Sequence, residues 1–430
     1  MKTIEVPYGH GTQSCSIPDD IDCVYGRLKS VEPSIEAGEQ ISTALLNLIG
    51  DINFDKLRNA KSVAIAVSDM TRPVPSRLIL EKLLLWLAEF GIYGDQITVL
   101  VGGGLHHPAT REEMIYIVGE ELQKRVKQVL PHDADDEASL TFLGTSPLGT
   151  PVYVNKYFAQ ADYKIVTGMV DAHQFMGFTA GVKGAVIGLG GRQTITGNHV
   201  RLFQPGAELG HMEGNPARMD LEDCGRIIGV DMIVNVVLNT QKKVIKAVAG
   251  HPVAAHRVAV EFAKSIFGVS MSLADIVIAS PGGFPKDINA YQAQKALTPA
   301  LQLVKPGGTI ILVAQCVEGS GEESFEETMA IYDDLSDVVS SFKEKEFVIG
   351  PHKAYLWART FLKAKTILVS DKVSPELAKT LMIKVTKSLQ EAIDEVIPNS
   401  SANLKITVLT HANSIIPIIR DDSSEDSIEI

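Results

Sequence analysis

Cysteine is scarce in this chain of 430 residues: Cys15, Cys23, Cys224 and Cys316 are its four, and no two form a C-x-x-C pair. Neither a thiolate zinc site nor a disulfide framework is expected, and a reducing, cytoplasmic setting fits. Long apolar runs are missing as well. Pro, Gly or a charge interrupts every apolar stretch before it could span a bilayer, and the N-terminal MKTIEVPYGH lacks the apolar segment of a secretory signal. Nor is there an excess of basic residues: 40 Lys+Arg against 52 Asp+Glu leave a net charge of −12. That balance argues against nucleic acid or an anionic membrane as partner and leaves a small molecule, met by a local cationic pocket if it is anionic.

What is present is a well-folded composition, 45% hydrophobic with 35 Gly and 20 Pro, in a chain long enough for two domains. Alternation predicts a hairpin from Ile4–Tyr8 and Ser14–Ile17, then a helix from about Ser34 to Ile49. Strands then alternate with helices: Val63–Val67, a helix over Pro75–Phe90, Ile97–Val101, a helix opening at Thr110, Tyr163–Val166, and a hairpin of Met232–Val237 with Val244–Val248. A second series follows the helix His251–Phe267, with strands at Asp275–Ser280, Thr309–Val313, Thr366–Val369 and Ile406–Leu409. The expectation is an α/β protein of two domains, mainly parallel sheets flanked by helices, with a boundary near 270 and a solvated acidic tail at Asp421–Asp426.

Four segments after predicted strands are denser in Gly, His and charge than their surroundings require. In Ser68-Asp69-Met70-Thr71-Arg72-Pro73, Arg72 offers a clamp for a carboxylate, with Asp69 to orient it or an imidazole; an Asp–Arg pair stiffening a turn reads equally well. Gly102-Gly103-Gly104-Leu105-His106-His107 brings two imidazoles to the end of a glycine run, suited to proton transfer or merely exposed on a turn. It is no dinucleotide fingerprint, because His107 stands where the third glycine is needed.

The third segment, VDAHQFMGFTAGVKGAVIGLGGRQTITGNH from Val170 to His199, contains His173, Lys183 and His199. So apolar a setting can lower the Lys183 pKa toward nucleophilic use, and His199 can ligate a metal; a glycine-rich packing segment is the alternative. Val182 before Lys183 excludes a Walker A loop. In the fourth, SPGGFPKDINAYQAQK, a helix from about Asp287 would set Tyr291 and Lys295 one turn apart, beside Gln292, as a face for an anionic, hydroxylated ligand or simply a soluble surface. Trp357 lines a cleft or fills a core position.

In this order the four segments resemble the nickel-dependent lactate racemase family. The resemblance implies a nickel pincer nucleotide, a pyridinium bisthiocarboxylic acid mononucleotide that holds nickel through carbon and two sulfurs. It implies Lys183 as the residue joined to that cofactor, His199 as the protein ligand to nickel, and His106 and His173 as the acid/base pair. Arg72 and Lys295 would hold a 2-hydroxy acid substrate, with Asp69, Tyr291, Gln292 and Trp357 lining an active site in the interdomain cleft. The glycines Gly188, Gly190 and Gly191 are expected to receive the cofactor phosphate. The family also implies partner enzymes that make the cofactor, and a final strand that returns to the first domain, giving domains 1–272 plus 400–430 and 273–399. His107 stands where the family has Arg, Ala172 where it has Pro and Thr179 where Ser is commoner. The reading competes with a nicotinamide-dependent dehydrogenase, which lacks its fingerprint here, and with a non-catalytic carrier of the nickel nucleotide.

Overall fold

The computed structural model describes residues 1–342, 348, 350–397 and 404–420; the acidic tail lies outside the described residues. The chain divides into a central unit, Ser30–Ile266, and a terminal unit made of Met1–Lys29 with Phe267–Ile430.

The central unit is built on a six-stranded sheet in the order Val244–Gly250, Met232–Leu238, Tyr163–Met169, Val63–Ser68, Ile97–Gly102, Gln128–Pro131. Its pairs are parallel except for the edge hairpin of Met232–Leu238 with Val244–Gly250. The inner strands are continuous apolar runs, as expected of strands covered on both faces, and Val63–Val67 and Ile97–Val101 are buried throughout. The helix Ser76–Ala88 packs Ile79, Leu80, Leu83 and Leu87 against them. Helix Arg111–Val118 opens, as expected, at Thr110, with a capping box: the Thr110 hydroxyl accepts from the Glu113 N–H, and the Glu113 carboxylate accepts from the Thr110 N–H.

Connections from Val63–Ser68 run to one side, toward Ile97–Gly102, while Tyr163–Met169 and everything after it add on the other side. The chain therefore switches direction between Val63–Ser68 and Tyr163–Met169, and a crevice is expected beyond their carboxyl ends.

The terminal unit repeats the plan with a parallel six-stranded sheet ordered Lys384–Thr386, Lys365–Val369, Val304–Val313, Ala274–Ala279, Lys405–Leu409, Asp22–Gly26. Here the sequence-based domain assignment is corrected. Lys405–Leu409 does not return to the first domain but pairs with Ala274–Ala279, and the discontinuous piece is the N-terminus, whose strand Asp22–Gly26 closes the far edge. Burial explains why: Ile4, Val6, Ile17 and Ile21 complete one core with Ile276, Ile278, Ile311, Ile367, Ile406 and Val408. Val304-Lys305-Pro306-Gly307-Gly308 is the irregular start of the strand Val304–Val313, where the register to Ala274–Ala279 shifts.

Ile406 is fully buried in that shared core. Ile406→Ala is expected to cost about 2–5 kcal/mol. Hydrogen exchange should then rise in Asp22–Gly26 and Ala274–Ala279 while Val63–Ser68 keeps its protection; loss in Val63–Ser68 instead would contradict this division of the chain.

Candidate functional site

Three strands of the central sheet, Tyr163–Met169, Val63–Ser68 and Ile97–Gly102, lie side by side and parallel, so their following loops leave from the same end. The middle loop carries Asp69 and Arg72, and the flanking ones carry His173 and His106. With strands about 4.8 Å apart, the two histidine loops start roughly 10 Å from each other across one intervening strand. That is room for a small acid.

His106 Nδ1 lies 2.6 Å from Asp69 Oδ2, and Thr71 Oγ1 donates to Asp69 Oδ1 at 2.7 Å. Burial pushes the Asp69 carboxyl up, but the bonds from His106 and Thr71 and the nearby charges of His106 and Arg72 outweigh it and hold the pKa below the usual range. An ionised Asp69 fixes the His106 proton on Nδ1 and leaves the Nε2 lone pair outward, the form of a base. His107 turns elsewhere, with Nδ1 3.0 Å from the Pro108 carbonyl oxygen and Nε2 3.7 Å from Glu113. Of the adjacent imidazoles, only His106 is tied to Asp69.

His173 sits in a two-residue strand, Ala172–His173, paired with Gly177–Phe178. The Met176 N–H donates to its Nδ1 at 3.2 Å, so the neutral ring carries its proton on Nε2. Burial first, then the charges of Lys183, His199, Arg72 and Arg218, lowers its pKa well below the ordinary value. The two imidazoles are thus complementary: His106 presents a lone pair, His173 an N–H.

Lys183 follows the left-handed residues Ala180 and Gly181 and opens a π-helical turn, Gly184–Gly188. A Cβ on Gly184 would stand 2.6 Å from Val166 Cγ1, so glycine lets this turn lie directly on the strand Tyr163–Met169. Burial and the charges of Arg72 and Arg218 depress the Lys183 pKa well below its ordinary value, which favours the neutral, nucleophilic amine. His199 ends the helix Arg192–His199, and burial with the Lys183 charge lowers its pKa to about 3, keeping the imidazole neutral.

The glycines after Lys183 have a packing role. The Gly104 N–H donates to Gly188 O at 3.1 Å, the His132 Nε2 lies 3.0 Å from Gly190 O, and the Gly191 N–H donates to Tyr153 O at 3.0 Å. A Cβ at Gly191 would stand 2.7 Å from Leu140. Gly191, expected to present its N–H to a phosphate, has that N–H committed to the main chain.

In the terminal unit, Asn289 caps the helix Ala290–Ala293 by accepting from the Gln292 N–H, and Lys295 Nζ donates to Gln292 Oε1 at 2.7 Å. Lys295 is exposed and Tyr291 half-buried, its ring edge-on to Phe325. Trp357 is a correction. It is fully buried in the helix His352–Lys363, donates its indole N–H to Leu381 O at 2.9 Å, and packs on Phe325 and Phe361, so it lines no cleft. Sequence reasoning missed Lys353 on the same helix: 4% exposed, it donates to Gln294 Oε1 at 2.8 Å and lies over the Tyr291 ring. It also missed Asn215, Arg218 and Asp220. The available signal was a charge at Arg218 on the same helical face as Leu221 and Gly225, the apolar phase of an amphipathic helix.

A loop with His106 and a loop with His173 flank the loop of Asp69 and Arg72 at the switch point of a doubly wound sheet, an arrangement suited to acid/base chemistry on a small anion. Comparison with known proteins specifies the class. Residues 8–210 match the lactate racemase N-terminal domain and residues 269–417 the lactate racemase C-terminal domain. The chain is 32% identical over 425 residues to a lactate racemase of Lactiplantibacillus plantarum, covering 97% of this chain and 100% of that one. Identity is also 32% over 427 residues to a lactate racemase of Thermoanaerobacterium thermosaccharolyticum, covering 97% and 99%. The lactate racemase apoprotein structure from that organism superposes with a TM-score of 0.86 at 31% identity, over 97% of this chain and all of that one. A Thermotoga maritima protein shares the fold alone, with a TM-score of 0.63 at 16% identity over 91% of this chain and all of that one. This chain belongs to the lactate racemase family, and it is an isomerase. None of its helices, among the described residues, is long and apolar enough to cross a membrane.

Burial has a consequence for stability. His132 and His256 are 2% and 1% exposed, and desolvation lowers both pKa values. Unfolded, each regains a pKa of about 6.5, so as pH falls below that value the unfolded chain binds protons the folded one refuses. Stability contributed by the neutral rings is whole above about pH 6.5 and is lost below it, at up to about 1.4 kcal/mol per pH unit for each ring. Urea melts at pH 7.5 and 5.5 should show this fall, and His256→Gln should shrink the difference between them. An unchanged difference in the variant would deny His256 its share.

Proposed function

We propose that this isomerase racemises a 2-hydroxy acid, lactate or a close relative, with a nickel pincer nucleotide as cofactor. The observation that carries the reading is the pair of complementary imidazoles, His106 with its lone pair on Nε2 and His173 with its proton on Nε2, both near the Arg72 charge. The donor set suits such a cofactor. Lys183 is held toward its neutral amine and His199 toward its neutral imidazole, the forms required for a covalent link and for metal ligation. The chain's own share of the metal's ligands in this reading is one imidazole, that of His199. Bound, the nucleotide supplies a hydride acceptor, which avoids removing a weakly acidic Cα proton.

The chain's residues do the rest. Arg72 binds the carboxylate through charge-assisted hydrogen bonds, and Asp69 holds the His106 tautomer. His106 Nε2 takes the hydroxyl proton of one enantiomer. At the other imidazole the neutral His173 Nε2–H holds the oxygen of the resulting 2-keto acid by a hydrogen bond, and the proton is returned from this side by His173 as an imidazolium. The reverse direction exchanges the two roles. Lys295 and its Gln292 partner, with Tyr291, are assigned a substrate contact as a separate element of the proposal. Gly188 and Gly190 are kept as neighbours of the cofactor. Enzymes that assemble the nucleotide are the expected partners, and the cytoplasm the expected compartment.

Co-expression with those enzymes should yield protein carrying nickel. His199→Ala should lose most of the metal, and Lys183→Ala any covalent adduct seen by intact mass; stoichiometric zinc in place of nickel would contradict the cofactor. His106→Ala and His173→Ala should each slow both directions by about 10²–10⁴. Substrate deuterated at Cα should racemise in ordinary water with its label largely kept, whereas early washout would point to proton transfer at carbon. Arg72→Ala and Lys295→Ala, measured separately, should each raise KM for the hydroxy acid.

A further inference from the structure

The helix Pro216–Ile228 carries two fully buried charges, Arg218 and Asp220, 1% and 0% exposed. Buried charges are costly, and apolar residues of similar size would pack the same space with less penalty. What the charged groups add is direction.

Asn215, the helix N-cap, donates from Nδ2 to Phe175 O at 2.9 Å. Arg218 donates from Nε to Met176 O at 3.3 Å and from Nη2 to Phe178 O. Three carbonyls of the turn and strand that follow His173 are thereby held by one turn of helix. Arg218 stays charged at neutral pH, since burial lowers its pKa only to about 10. Two residues on, Asp220 points to another side of the helix. Its Oδ1 accepts from Ser146 Oγ at 2.5 Å, and its Oδ2 from Thr150 Oγ1 at 2.8 Å and Asn198 Nδ2 at 2.9 Å. Asn198 is the residue before His199, and its Nδ2 also donates to Ala217 O at 3.0 Å, again on this helix. Between the two histidines stands Phe175, edge-on to His173 at 4.7 Å and to His199 at 5.3 Å. One turn further, Gly225 admits Val182, whose side chain would lie 2.7 Å from any Cβ there, so the helix also abuts the residue before Lys183.

We propose that the helix Pro216–Ile228 is a positioning element for the reaction: Asn215 and Arg218 set the main chain that carries His173, and Asp220 sets the helix end that carries His199. The two anchors act on different loops, so their effects are separable. The inference rests on the proposed function for the roles of the two histidines.

Arg218→Lys keeps the charge but reaches one carbonyl instead of two. Asp220→Asn keeps the size but turns an N–H toward one of three donors. In the apoprotein, Arg218→Lys should raise amide exchange about tenfold or more across residues 173–179, and Asp220→Asn across 194–199, each leaving the other stretch unchanged. In protein loaded with nickel nucleotide, Arg218→Lys should lower kcat about tenfold with nickel content kept and KM within about twofold, whereas Asp220→Asn should lose more than half of the nickel. Ile165→Val, a packing change at a fully buried core position of the same unit, serves as the control for general loosening. If exchange rises uniformly in both variants, or if Ile165→Val at matched loss of Tm reproduces either effect, the positioning role is overturned. The exchange arm needs no cofactor. Should the native protein neither load nickel nor racemise, the proposed function would fall while the exchange result still judged the anchors.

Discussion

Parallel pairing around Val63–Ser68 is the constraint on which the central unit's chemistry depends. A parallel strand sends its following loop from the same end as its neighbours' loops, and this strand has a parallel neighbour on each side. Asp69 and Arg72 therefore emerge between the loop of His106 and the loop of His173, although 67 positions of sequence separate the two histidines. The reversal of strand order at this point keeps the covering helices from closing over the loops. An antiparallel neighbour on either side would have carried one imidazole to the opposite end of the sheet.

Charge follows from that convergence. His173, Lys183 and His199 are held toward their neutral forms by burial first and then by neighbouring positive charge, that of Arg72 and Arg218 on His173 and Lys183 and that of Lys183 on both histidines. Asp69 is held by His106 and Thr71 at the margin. A site of this composition favours neutral Lys and His and keeps permanent charge on arginine. It attracts an anion into a chain whose net charge is −12. One arrangement thus sets the protonation of Lys183, His173 and His199 without a separate device for each.

The terminal unit solves a similar problem with different anchors. Its strand order switches between Ala274–Ala279 and Lys405–Leu409, and the glycine-rich loop leading to Tyr291, Gln292 and Lys295 leaves from that point. Asp287 stiffens the loop: its buried Oδ2 accepts the N–H of Gly9 at 2.6 Å and of Gln315 at 3.1 Å. The N-terminal hairpin is thus part of the loop's support as well as of the core. That dual use is a physical reason for residues 1–29 to belong with the C-terminal half.

Period and composition determined much of this by themselves. Continuous β-branched runs at Val63–Val67, Ile97–Val101 and Thr309–Val313 can satisfy their backbone and bury their side chains only as inner strands, and the Thr110–Glu113 capping box marks a helix start from four residues alone. Asp69, Arg72, His106, His173, Lys183 and His199 stood out as candidates because Gly, His and charge are unusual neighbours in apolar sequence. Tertiary structure decided what local pattern cannot express. Which of His106 and His107 is oriented by a carboxylate depended on reach to Asp69, and whether Trp357 lines a cleft or fills a core depended on Phe325, Phe361 and Leu381. Arg218 and Asp220 find their partners some 20 to 75 residues away in sequence, which no local pattern names. The side to which the final strand belonged was likewise set by a shared core, since an apolar strand pairs with whichever edge buries it, and only the folded chain shows which edge that is.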